Sequence, residues 1–128
     1  MDRHQRSTPA ATGRAAEDRA LKELSAAGLR LVARNFRCRL GEIDLVMREG
    51  DTLVFVEVRA RQSARFGDAS EGVTSAKQRR LQAAAALFVA WHPAWRDMPM
   101  RFDLFALDGN GHGAHPVPGV KWLRGITS

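Results

Sequence analysis

The sequence predicts an α/β domain of element order α-β-β-β-α-β, a mixed sheet flanked by helices. Three observations carry this. Apolar residues recur at helical spacing over residues 13–27 and again over 74–91. Between these segments run three apolar stretches joined by short connections, as in an antiparallel meander. The helical crossover from the third stretch to a fourth at 101–107 is the kind that joins parallel strands. The strands are apolar on both faces, which suits a sheet covered by helices.

Each element follows from local chemistry. Residues 1–12 are polar and patternless, so a disordered tail is expected there, with a single domain over 13–128. Ala16, Ala20, Leu21, Leu24 and Ala27 form the stripe of the first helix, and Gly28 stops it. The stretches 29–37, 42–48 and 52–61 read as strands. The loop QSARFGDASEGV follows. Thr74 caps the second helix, whose stripe holds Ala76, Leu81, Ala84, Leu87, Phe88 and Trp91, and Pro93 ends it. After the fourth strand the turn-rich DGNGHGAHPVPG leads to VKWLRGI, a last short strand. A chain of 128 residues suits one such domain, and no internal repeat is visible.

The stretch GEIDLVMREGDTLVFVEVRAR is the informative one. Gly50-Asp51 suits a type II′ hairpin turn, which pairs Glu49 with Thr52. Met47 then faces Val54, Leu45 faces Val56 and Ile43 faces Val58, giving one aliphatic face. On the other face Val46 opposes Phe55, Asp44 opposes Glu57 and Glu42 opposes Arg59. Two acids side by side on a buried strand pair repel, so something must offset them. A divalent cation would, since Mg²⁺ takes oxygen ligands and keeps several waters. Arginine partners, or a solvated end of the sheet, would serve as well. Gly41 before the acidic strand reads as a loop glycine or as a point of close approach.

Charge adds a second clue. Lys and Arg number 20 against 14 Asp and Glu, a net +6, and 17 of the basic residues are Arg. The arginine fork suits phosphate, and the basic balance favours nucleic acid or an anionic surface as partner. Arg34, Arg37, Arg61, Arg65, Arg79 and Arg80 are the candidates for a phosphate track. The single Cys38 excludes an intramolecular disulfide framework. No apolar leader opens the sequence and no stretch is long enough to span a membrane, so a cytoplasmic, non-membrane protein is expected. His112 and His115 have ligand spacing but no cysteine or acid beside them, which argues against zinc.

RAAEDRALKEL, ARNFR, GEIDLV, VFVEVRAR, FGDASEGVTSAKQRRL and RFDLFAL together resemble the YraN-like family of small bacterial proteins. That family lies within the restriction-endonuclease-like PD-(D/E)xK superfamily. The resemblance spans residues 13–107 and implies a restriction-endonuclease-like αβββαβ core. It implies a DNA endonuclease dependent on Mg²⁺ or Mn²⁺, acting on branched or repair intermediates. Asp44 and Glu57 would bind the metal, assisted by Glu17 on the first helix. Arg59 stands where the family pattern has lysine, and arginine effectively cannot lose its proton. Lys77 matches a second lysine that the family carries and is a candidate replacement. The alternative is a nucleic-acid-binding or accessory protein that keeps the fold without efficient catalysis. Related resolvases act as dimers, so the resemblance allows a homodimer.

Overall fold

The computed structural model describes residues 9–61, 74–108 and 119–126. Its elements are α1 (Pro9–Ala26), β1 (Arg30–Cys38), β2 (Gly41–Glu49), β3 (Thr52–Arg61), α2 (Ser75–Trp91), a 3-10 turn (Pro93–Trp95), β4 (Met100–Asp108) and β5 (Gly119–Leu123). The expected order is present, with the last short strand. Residues 1–8, Arg65, His112 and His115 lie outside the described residues.

The first helix reaches back into the stretch expected to be a disordered tail. Its opening residues, PAATG, carry no apolar stripe, yet proline is favourable at a first helical position and alanine is the best helix former. At the other end Leu29 N donates to Leu24 O at 3.1 Å while Gly28 takes a φ of 105°, the backbone conformation that closes helices on glycine.

The five strands lie in the order β1-β2-β3-β4-β5. β3 and β4 run parallel and the other neighbours antiparallel. One face carries α1, with Ala16, Ala20 and Leu24 packed among Leu45, Met47, Val54, Val56 and Phe105. The other carries α2, with Leu81, Ala84, Ala85 and Phe88 over Ile43, Val46, Leu53, Phe55 and Phe102. The α2 stripe differs from expectation at its ends. Ala76 and Trp91 are exposed and Ala85 is buried, because α2 meets the sheet through its middle turns.

The hairpin register is as expected from Glu49–Thr52 to Leu45–Val56, and Gly50 has the positive φ of 59° that its turn needs. Beyond Leu45–Val56 the pairing stops. The expected aliphatic face also breaks there: Ile43 joins the α2 core while Leu45 joins the α1 core. Residues two apart on a regular strand share a face, so β2 turns over at Asp44. Asn35 explains how. It lies between the pairs Arg34–Leu45 and Phe36–Ile43, opposite Asp44, and has a left-handed φ of 53°. Asparagine tolerates that conformation better than most residues. Both strands therefore reverse their facing together: Arg34 meets acids on α1, whereas Phe36 packs in the α2 core.

Candidate functional site

The turnover at Asp44 builds the site. Where β2 leaves β3, Asp44 Oδ2 accepts a hydrogen bond from Val58 N at 2.7 Å. A side chain thus replaces the missing ladder partner and keeps Asp44 beside β3. The expected face-to-face pairing of Asp44 with Glu57 is absent for this reason. The two acids still line one cleft, where burial and then the charge of Glu57 raise the pKa of Asp44. Both are buried, at 7% and 5% exposure.

α2 supplies the cations. Thr74 Oγ1 accepts from Lys77 N at 3.1 Å, so the helix begins at the expected cap. This sets Lys77 in the first turn, where its Nζ lies 3.0 Å from Glu57 Oε2. Arg59 Nη1 approaches the same oxygen at 3.7 Å from its own strand. Gly41 fixes the distance between the β1–β2 turn and the helix. A Cβ there would lie 3.1 Å from Arg80 O and 3.4 Å from Arg80 Cβ, and the φ of 156° is unfavourable to other residues. Of the two readings of Gly41, close approach is the one observed.

These elements enclose an open cleft of about 520 Å³ lined by Asp44, Glu57, Arg59, Lys77, Arg80 and their neighbours. Burial first, then the charge of Glu57, push the Asp44 carboxyl from 3.8 up to about 7. The bond from Val58 N opposes the rise, and Glu17 and Glu42 add to it. Glu57 is thus matched by two cations, while no cationic side chain pairs with Asp44 among the described residues.

The remaining candidates divide. Glu17 is near enough to act on Asp44 but faces Arg34, at 3.6 Å, which also binds Asp18 at 2.8 Å. Arg34 is therefore engaged with α1. Arg37 is exposed and 4.0 Å from Glu42, which takes this partner on β1 rather than Arg59. Arg80 lines the cleft; Arg79 is exposed on α2 and does not. Arg61 ends β3. Sequence reading missed the structural role of Asn35, for which an asparagine inside a strand was the available signal. It also missed a buried network around Asp103, which an acid between Phe102 and Leu104 could have signalled.

The donor set suits a hard divalent ion. Asp44 and Glu57 both line the cleft with carboxylates, the cleft leaves room for water, and a cation there would offset the cost of ionising Asp44 near Glu57. Among the described residues no three acids, histidines or cysteines converge on one point. No described helix is long and apolar enough to cross a membrane.

Comparison with known proteins places this arrangement in a family. Residues 16–107 match the model of the uncharacterised protein family UPF0102. A UPF0102 protein of Pseudomonas entomophila is 51% identical across 91% of this chain and 93% of its own. One from Ralstonia nicotianae is 55% identical across 90% and 85% respectively. With this much of both chains aligned, and with the five-stranded mixed sheet between two helices, the chain belongs to the UPF0102 (YraN-like) family, within the restriction-endonuclease-like superfamily.

Proposed function

We propose that the chain is a Mg²⁺- or Mn²⁺-dependent DNA endonuclease whose centre is Asp44 and Glu57. One observation carries the reading: two buried carboxylates line one open cleft, and among the described residues no cationic side chain pairs with Asp44. The bond from Val58 N calls for an oxygen at this position but not for a charge, and ionising the acid there is unfavourable. Strongly perturbed acids in clefts mark functional sites. Asp44 and Glu57 would hold the metal. When bound, it would supply an activated water and stabilise charge on the phosphate.

The chain's own residues do the rest. Val58 N–H orients the Asp44 carboxylate. Lys77 sits where the absent motif lysine would be needed, at Glu57, and supplies a compact ammonium that arginine cannot imitate. Arg59 and Lys77 would face the phosphate as its charge rises. In that step water adds to phosphorus and loses a proton to solvent, while the bond to the leaving deoxyribose oxygen breaks and that oxygen takes up a proton. Arg80, at the rim, would bind a flanking phosphate.

The test is cleavage of labelled duplex, single-stranded, flap and four-way-junction DNA with Mg²⁺, Mn²⁺ or EDTA. Cuts that need metal and vanish in Asp44→Ala establish the nuclease. Lys77→Met should slow cleavage about 100-fold, and Arg59→Lys should change it little, since a lysine is already present. The second reading, a nucleic-acid-binding protein with lost catalysis, draws on the two cations that already occupy Glu57 Oε2. It requires no cuts by the wild type and salt-sensitive DNA binding that survives in Asp44→Ala.

A further inference from the structure

At the hairpin end of β2, away from the cleft, Arg30 and Arg48 stand directly opposite each other in the β1–β2 ladder. Like charges so placed repel. Among the described residues neither guanidinium meets a carboxylate. Arg48 is nevertheless held in position: its Nε donates to Gly50 O at 2.8 Å, and its guanidinium carbon lies 5.7 Å from the centre of the Trp95 ring. Both contacts leave its two Nη groups available, and these are the donors with which arginine grips a pair of anionic oxygens.

The backbone makes room around them. Gly28, Arg30, Arg48 and Gly50 line a concavity of about 230 Å³. Both glycines adopt left-handed φ, 105° and 59°, and the space where each would carry a Cβ is open to 4 Å. One closes α1 and the other turns the hairpin, so two local chain reversals deliver two arginines to one hollow.

We propose that Arg30 and Arg48 form a binding site for a phosphate group, separate from the cleft. Two facing guanidinium forks suit the tetrahedral oxygens of a phosphate, which can accept from both arginines at once. The phosphate has two sources, a nucleic-acid backbone or a free phosphate ion. Arg48 lies four residues from Asp44 on β2, about 13 Å, so a bound strand of modest length reaches both. The site does not depend on catalysis in the cleft, and its failure leaves the metal-dependent cleavage test untouched.

The experiment is thermal unfolding of the full chain in potassium phosphate against potassium chloride of equal ionic strength. It is run beside anisotropy titrations of labelled duplex DNA between about 50 and 200 mM salt. Phosphate should raise the wild-type Tm, and Arg30→Gln and Arg48→Gln should each remove that rise. Arg30 is exposed, so Arg30→Gln should fold, and without phosphate it should melt no lower than wild type because it removes a repulsion. If the variants also lower the slope of log affinity against log salt by about one, the phosphate is that of nucleic acid. An unchanged slope with a lost phosphate response assigns the site to the free ion. A phosphate response that is absent in the wild type, or equal in wild type and variants, overturns the site if the DNA slope is also unchanged.

Discussion

Asp44 and Asp103 are both buried acids on neighbouring parts of one sheet, at 7% and 0% exposure, and the chain treats them in opposite ways. Asp103 is surrounded. Arg101 Nε and Nη2 donate to its two oxygens at 2.9 and 3.0 Å, Trp122 Nε1 at 2.9 Å and Gly125 N at 3.1 Å. Arg101 reaches on to Glu49 at 2.7 Å, and Arg124 lies 3.9 Å above the Trp122 ring and 3.5 Å from Glu49. This network ties β5 and the residues after it to β4 and to the hairpin turn. Asp44, by contrast, accepts from Val58 N alone among the described residues and has Glu57 beside it. A buried acid with four donors is a structural joint. A buried acid with one donor and an acid for a neighbour is unfinished until something positive arrives.

The largest expected effect belongs to the joint. Asp103→Ala leaves the Arg101 fork, the Trp122 indole and Gly125 N without their acceptor, and should destabilise the fold by about 3–5 kcal/mol in urea unfolding. A loss below about 1 kcal/mol would mean that the network is no more than a surface ion pair.

Asp44→Asn should act in the reverse direction. The Asp44 carboxyl titrates near 3.8 when unfolded and at about 7 when folded. Between those values the folded state keeps a proton that the unfolded chain has released. Stability therefore falls as pH rises from about 4 to about 7 and is flat above, with a ceiling of about 4 kcal/mol. Asparagine keeps an oxygen for Val58 N–H and has no charge to bury. The variant should be more stable than wild type at pH 8 and should lack this pH slope in denaturant titrations at pH 4.5 and 8. Parallel slopes for the two proteins would put Asp44 with ordinary exposed acids.

A divalent ion should do by binding what the asparagine does by substitution. At a concentration of a hundred Kd it would stabilise the wild type by about 3 kcal/mol. Mn²⁺ added at pH 8 should raise the wild-type Tm and leave Asp44→Asn and Glu57→Gln unmoved. Equal shifts in all three would assign the metal elsewhere.

The smallest effect tests the frame around the cleft. Gly41→Ala puts a Cβ 3.1 Å from Arg80 O, and should cost about 1–2 kcal/mol. It should also push α2 away from the β1–β2 turn, so cleavage should fall by more than the loss of stability accounts for. An unchanged protein would show that the helix yields freely there.

Much of this was legible in the residues. Periodicity revealed both helices, four strands and the crossover, because burial on one face imposes a repeat that the residue types record. The Gly50-Asp51 turn and the aliphatic pairs beyond it determined the hairpin register as far as Leu45–Val56. The same register opposed Asp44 to Glu57, and the motif resemblance implied a metal-binding role for both. Past Leu45 the same arithmetic failed, since it assumes a regular strand and Asn35 at a φ of 53° turns both strands over. The identity of the cations at Glu57 was equally out of reach of spacing. Lys77 is 20 positions away from Glu57 in the chain, and only the Thr74 cap, the seat of α2 on the sheet and the contact at Gly41 bring its Nζ to 3.0 Å.

The division has a physical cause. What the sequence determined by itself was local: helix caps, turn chemistry, the alternation that buries a strand, and the presence of acids where acids are costly. Tertiary structure alone decided which charges meet, because a carboxylate's environment depends on the walls around it and on charges brought from distant segments. So the same residue type, aspartate on a buried strand, became a joint at Asp103, where Arg101, Trp122 and Gly125 converge, and an open demand for positive charge at Asp44, where they do not.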